Sequence, residues 1–109
     1  MSEASLEHEE CKQALFALHS KLCSRGFEIM KAKNADYSKS DPLGNFYVAE
    51  ALQATSAANG IIVRMSDKLS RLVSVLAKGE AQVKDESVED TIVDIINYAI
   101  LLRAVTLRK

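Results

Sequence analysis

Between Val88 and Val105 the chain presents apolar side chains on nearly every side of a helix, and few architectures have room for such an element. At about 100° per residue, Val88, Ile92, Ile95, Ile96, Ala99, Ile100 and Leu102 share one broad face. Asp90, Asp94 and Asn97 fall together on the opposite face, with Glu86 just before them. Beyond Asn97 that second face also turns apolar, through Leu101 and Ala104. A helix that is apolar nearly all round is buried on several sides. The pattern predicts one long helix from Lys84 to Lys109, capped at Ser87 with Asp90 three residues on. It should be central, with its acidic stripe covered in part. Carboxylates close to a core need partners, and the rest of the chain offers candidates.

Three further helices are expected. The first runs from about Leu6 to Lys33, with Cys11, Leu15, Leu18, Leu22, Ile29 and Lys33 on one stripe and His19, Gly26 and Met30 beside it. Gly26 costs about 1 kcal/mol against Ala in a helix interior, so it marks close packing or a kink. His19 borders the apolar stripe and reads as structural before it reads as a ligand or base. After a turn-forming stretch, Asp41-Pro42 reads as N-cap and N1 of a short helix running to about Thr55. That helix puts Leu43, Phe46, Tyr47, Glu50 and Ala54 on one face, which places Glu50 among residues expected to be buried. A salt bridge and a metal or substrate contact are equal alternatives for it. The third helix starts between Ser56 and Ile61 and stops near Gly79, a good C′ residue. Its apolar face is Ile61, Ile62, Met65, Leu69, Leu72, Val73 and Leu76. Arg64, Asp67, Lys68 and Arg71 lie on its other side, and Ser66, Ser70 and Ser74 form a small-residue edge. Four helices with short connections and no strand-like alternation predict a single all-α domain over residues 1–109, an antiparallel four-helix bundle.

The bulk numbers remove several classes. Apolar residues make up 48% of the 109, which excludes disorder by composition. A formal net charge of −1 gives no global attraction to nucleic acid or anionic lipid, so direct nucleic-acid binding is not expected. No apolar run approaches the roughly 20 residues a membrane span needs, and the acidic start has no apolar stretch of a secretory signal. Cys11 and Cys23, about 18 Å apart on one helix, are too distant to bridge. Free, buried thiols in a reducing cytoplasm are the expectation.

Two charged stripes carry what chemistry the residues suggest. One is Arg64, Lys68 and Arg71 with Asp67; the other is Asp90, Asp94 and Asn97 with Glu86. They either pair across the bundle surface, which is worth about 0–1 kcal/mol per pair, or they build a site. Carboxylates four apart on a helix share a direction and suit a hard cation such as Mg²⁺. Basic residues nearby suit phosphate oxygens. Together they are what nucleotide chemistry requires. Glycine-rich phosphate loops, zinc spacings and a nucleophile elbow are absent from the sequence.

The order KNADYS (Lys33–Ser38), PLGNF (Pro42–Phe46), GIIVRMSDKLSRL (Gly60–Leu72) and VKDESVEDTIVDIINYAILL (Val83–Leu102) resembles the small helical proteins called nucleotide modification associated domain 1. These occur in phages and bacteria, often near genes of nucleotide metabolism or DNA base modification. The helical pattern is also similar to the MazG-type all-α nucleoside triphosphate pyrophosphohydrolases, which bind Mg²⁺ through carboxylate pairs. The chain departs from that pattern: Tyr47 and Gln53 stand three residues from Glu50, and Asp90/Asp94 are four apart rather than three.

The resemblance implies a cytoplasmic, MazG-like nucleotide-binding protein of phage or bacterial nucleotide metabolism. It implies Glu50, Asp90 and Asp94 as ligands of Mg²⁺, and Arg64, Lys68 and Arg71 on phosphate. Asn34, Asp36, Tyr37 and Asn97 would contact base or sugar. Hydrolysis of a (deoxy)nucleoside triphosphate to monophosphate and pyrophosphate is one outcome, with no residue assigned as the catalytic group. The alternative is a non-catalytic protein that sequesters a nucleotide or nucleotide signal, or an accessory subunit of a base-modification enzyme. The apolar end of the last helix (Ala99, Ile100, Leu101, Leu102, Ala104, Val105) implies a homodimer or higher homo-oligomer.

Overall fold

A computed structural model describes residues 2–36, 42–78 and 85–108, with the side chains of Asp36, Asp85, Glu86 and Ser87 left out. Its described residues form four helices and no strand: α1 (Glu3–Asp36), α2 (Gly44–Ala51), α3 (Ala57–Ala77) and α4 (Asp85–Leu107). The predicted all-α class holds.

The centre of the fold is α4, as its two apolar faces predicted. It packs against both α1 and α3, with Thr91, Val93 and Val105 buried along it. Its start differs from the expectation: the helix begins at Asp85, so Ser87 sits inside the first turn rather than capping it. Against α3 it runs antiparallel, since Ile61 near the start of α3 packs with Val105 near the end of α4, while Lys68 meets Asp94 farther along. Against α1 it runs parallel. Lys21 and Arg25 reach Glu89, and Gly26 lies beside Val93 and Asn97. The up-down-up-down bundle is therefore corrected to three long helices and one short one, with α2 reversing the chain between α1 and α3.

That α2 is eight residues long has local causes. Its N-cap position is Leu43, which makes no side-chain cap bond, and Pro42 lies in the turn before the helix rather than at its first position. The expected cap Asp41 and the expected stop Gly79 fall outside the described residues. At the other end Gln53 takes a left-handed φ of 60°, and the N–H groups of Leu52, Gln53 and Ala54 donate back to Val48, Glu50 and Ala49, ending the helix well before Thr55. The next helix starts cleanly. The Ser56 backbone is extended, and its Oγ accepts from the Asn59 N–H at 3.1 Å.

The core gathers where α2, α3 and α4 meet. Leu43, Ala57, Ile61 and Val105 are buried there, with Phe46, Tyr47, Met65 and Leu102 packed around them. Arg108 stacks over the Tyr47 ring at 5.6 Å and ties the end of α4 to α2. The face of α3 turned inward is rotated from the predicted one. Ile61, Met65, Lys68, Leu72 and Val75 are buried or half-buried, at the 4-3-4-3 spacing of a helix seam, whereas Leu69, Val73 and Leu76 are exposed.

Along α1 the stripe splits in two. Leu22 and Gly26 are buried and Ile29 half-buried against the body, but every residue from 2 to 21 is exposed, Leu15 at 62% and Leu18 at 46%. Cys11 and Cys23 are free and exposed, not buried as expected. The end of α4 is mostly covered by its own chain: Leu101, Leu102, Ala104 and Val105 pack in or against the core, and only Ala99 and Ile100 of the expected apolar end stay open. No described helix is long and apolar enough to cross a membrane.

Candidate functional site

Gly26 shows how α1 and α4 come close enough to wall a cavity. A Cβ at this position would lie 2.8 Å from Asn97 Oδ1 and 3.6 Å from Val93 Cγ1, so only glycine leaves the asparagine its place. The Asn97 Nδ2 donates to the Gly26 carbonyl at 3.1 Å. One residue earlier on α1, the Arg25 guanidinium donates to Glu89 at 2.9 Å and also bonds Asp90, with Lys21 3.6 Å from the same Glu89. The hydrogen bond to the Asp90 carboxylate, together with the negative charge of Asp90 and Glu89, outweighs desolvation and holds the Arg25 pKa above its ordinary value.

Past this clasp the four helices enclose a pocket of about 510 Å³, within the usual range for small-molecule sites. From α1 come Met30, Lys33 and Asn34; from the start of α2 and the turn before it, Pro42, Gly44, Asn45 and Val48. Lys68 enters from α3, and Asp94, Asn97, Tyr98 and Leu101 from α4. Lys68 Nζ lies 3.0 Å from Asp94 Oδ2, with the two side chains 28% and 31% exposed. The lining thus combines two ammonium groups, one carboxylate, three amides, a phenol ring and an apolar floor. Such a set offers donors to an anionic group, and amide edges and a ring face to a flat polar one.

Of the residues expected to act together, the structure gathers Asn34, Lys68, Asp94 and Asn97 at this pocket. Arg64 and Arg71 are exposed and do not line it. Asp90 is bound to Arg25, on the side of α4 that faces α1. Glu50 is exposed rather than buried, and its Oε2 accepts the Ala57 N–H at 2.9 Å. There it adds negative charge at the start of α3, where a helix favours it. The Asp36 side chain and Tyr37 lie outside the description. Glu50, Asp90 and Asp94 therefore sit on three separate partners, and among the described residues no three of His, Cys, Asp or Glu gather to hold a metal. As placed here, Glu50, Asp90 and Asp94 do not come together at one cation site.

Sequence reasoning missed Lys33, Asn45 and Tyr98. A signal for Lys33 was present, because a lysine on an otherwise apolar stripe has its stem in the packing and its charge at the edge. Asn45 and Tyr98 had none, since their place depends on how α2 folds back.

A model of the family described as nucleotide modification associated domain 1 matches residues 33–103, more than half of the chain. No curated protein and no solved structure matches it. The matched span holds every residue lining the pocket except Met30.

Proposed function

The chain belongs to the nucleotide modification associated domain 1 family, and from that premise we propose that the pocket between its helices binds a nucleotide. The observation that carries this reading is the pairing, in one cavity, of Lys33 and Lys68 with the amides of Asn34, Asn45 and Asn97 and the ring of Tyr98. The lysines take phosphate oxygens as point charges. The amides offer both donors and acceptors to a base edge, and Tyr98 with Leu101 offers a surface for its face. The protein acts in the cytoplasm of a bacterium or a phage-infected cell. It sequesters a nucleotide or serves a base-modification enzyme as an accessory subunit.

Hydrolysis to monophosphate and pyrophosphate is the second reading, favoured by one observation: Asp94 and Lys68 both line the cavity. In that reading Asp94 would be the cavity carboxylate to hold a phosphate-bound Mg²⁺, which would polarise the phosphate when bound. The deciding experiment is a panel of ribo- and deoxyribonucleotides with Mg²⁺, with Mn²⁺ and with EDTA, scored by thermal shift and by anion exchange of products, with Asp94→Asn alongside. A thermal shift that persists in EDTA, without turnover, is the expected result. Turnover that disappears in Asp94→Asn would establish the hydrolytic reading, and neither shift nor turnover with any nucleotide would remove both.

Self-association belongs to the same proposal, on a different surface from the end of α4. Among the exposed apolar residues are Leu15, Phe16 and Leu18 on α1 and Leu69, Val73 and Leu76 on α3. A second copy of the chain is the proposed partner, since exposed apolar surface on two long helices suits association. Sedimentation equilibrium should give a dimer or larger. Joint Leu15→Glu and Leu18→Glu substitution should give a monomer of unchanged helical content, because both side chains are open to solvent. A wild-type monomer at micromolar concentration counts against the idea.

A further inference from the structure

Resting on the nucleotide reading, we infer that the pocket is built for a ligand with a single phosphate group, a nucleoside monophosphate, rather than for a triphosphate. The charges at the lining carry the inference. Two lysines stand against one carboxylate among the described lining residues, and Lys68 is already engaged by Asp94 at 3.0 Å. An ammonium has three donors, so Lys68 can keep Asp94 and still serve one phosphate oxygen while Lys33 serves another. A phosphate monoester carries about −1.5 to −2 at neutral pH, which the two ammonium groups beside Asp94 offset in part.

A longer phosphate chain adds charge without adding partners among the described lining residues. Enzymes that hold triphosphates meet that charge with further cations or with Mg²⁺ bound by several oxygen ligands. Here Arg64 and Arg71 are exposed and do not line the cavity, and no carboxylate trio gathers among the described residues. Asp94 would face the added phosphates and repel them. The remaining lining is of the kind a base and sugar use. Asn97 is held in place by its bond to Gly26, which fixes its amide before any ligand arrives.

The test is calorimetric titration with the nucleoside, mono-, di- and triphosphate of the base that gives the largest thermal shift, each with Mg²⁺ and with EDTA. The monophosphate should bind tightest, the triphosphate weaker by roughly tenfold or more, and EDTA should leave the order unchanged. A triphosphate that binds tighter than the monophosphate, or tight binding that needs Mg²⁺, overturns the inference while leaving nucleotide binding intact. A nucleoside that binds as well as its monophosphate overturns it too, because the lysines then hold no phosphate. No binding by any of the four removes the nucleotide reading itself, and this inference with it.

Discussion

Replacing Lys68 by methionine should weaken nucleotide binding by roughly ten- to a hundredfold, the worth of a hydrogen bond to a charged group. Methionine keeps an unbranched apolar stem, so the seam that Lys68 shares with Met65 and Leu72 stays filled. What is lost is the ammonium, and with it the partner of Asp94 at 3.0 Å. The carboxylate is then left alone in the cavity, where it repels phosphate. Asp94→Asn should have the opposite effect under the binding reading: Lys68 is released to the ligand, and affinity is equal or higher. The double variant should fall between the two. Stability should change little, since partly exposed ion pairs contribute about 1 kcal/mol or less. Arg64→Met and Arg71→Met serve as controls of the same charge change outside the cavity. Isothermal titration on the five variants and the wild type decides the matter. Wild-type affinity in Lys68→Met, or an equal loss in Arg71→Met, would remove Lys68 from the site.

Which parts of this were legible depended on whether the deciding interaction was local or between helices. The long helix at the end of the chain was readable because its apolar residues repeat over five turns, and period alone implies burial on several sides. Ser56 was within reach of the predicted start of α3 for the same local reason. Glu50 misled: its spacing from Phe46 and Tyr47 put it on an inward face, but α2 ends after Ala51 and leaves it exposed, where its carboxylate accepts the Ala57 N–H. Asp90 and Asp94 read as a pair because they are four apart. In the fold α4 runs between α1 and α3, and the 40° between those two positions sends one to Arg25 and the other to Lys68. Gly26 left a choice between close packing and a kink, and only the position of Asn97 decides for packing. The reversal of α1 relative to an alternating bundle follows from α2, which is too short to pass for a bundle helix of its own. Its stop at Gln53 is a left-handed residue that is not glycine, so nothing in its type announced it.

Ile61→Ala should be the most damaging single substitution in the core. Ile61 is fully buried, with Leu43, Ala57 and Val105 around it. Removing its branches deletes buried hydrocarbon and leaves a void that packed helices refill only in part, at about 2–5 kcal/mol. The better helix propensity of alanine returns only a few tenths of that. For a chain of 109 residues such a loss is a large fraction of the whole stability. The effect should also reach the pocket. Tyr98 and Leu101 pack against the same cluster and line the cavity, and Leu43 holds the turn that leads into α2. Loosening Ile61 therefore frees the wall that carries Asn45 and Val48, and ligand affinity should fall along with stability. Ile62→Ala is the internal control: it makes the same chemical change one residue away, on a side chain 49% exposed, and should cost less than 1 kcal/mol. Urea unfolding of both variants, with and without ligand, separates the outcomes. Equal losses at 61 and 62 would mean that α3 is turned differently from the arrangement described, and the place of Lys68 in the cavity would fall with it.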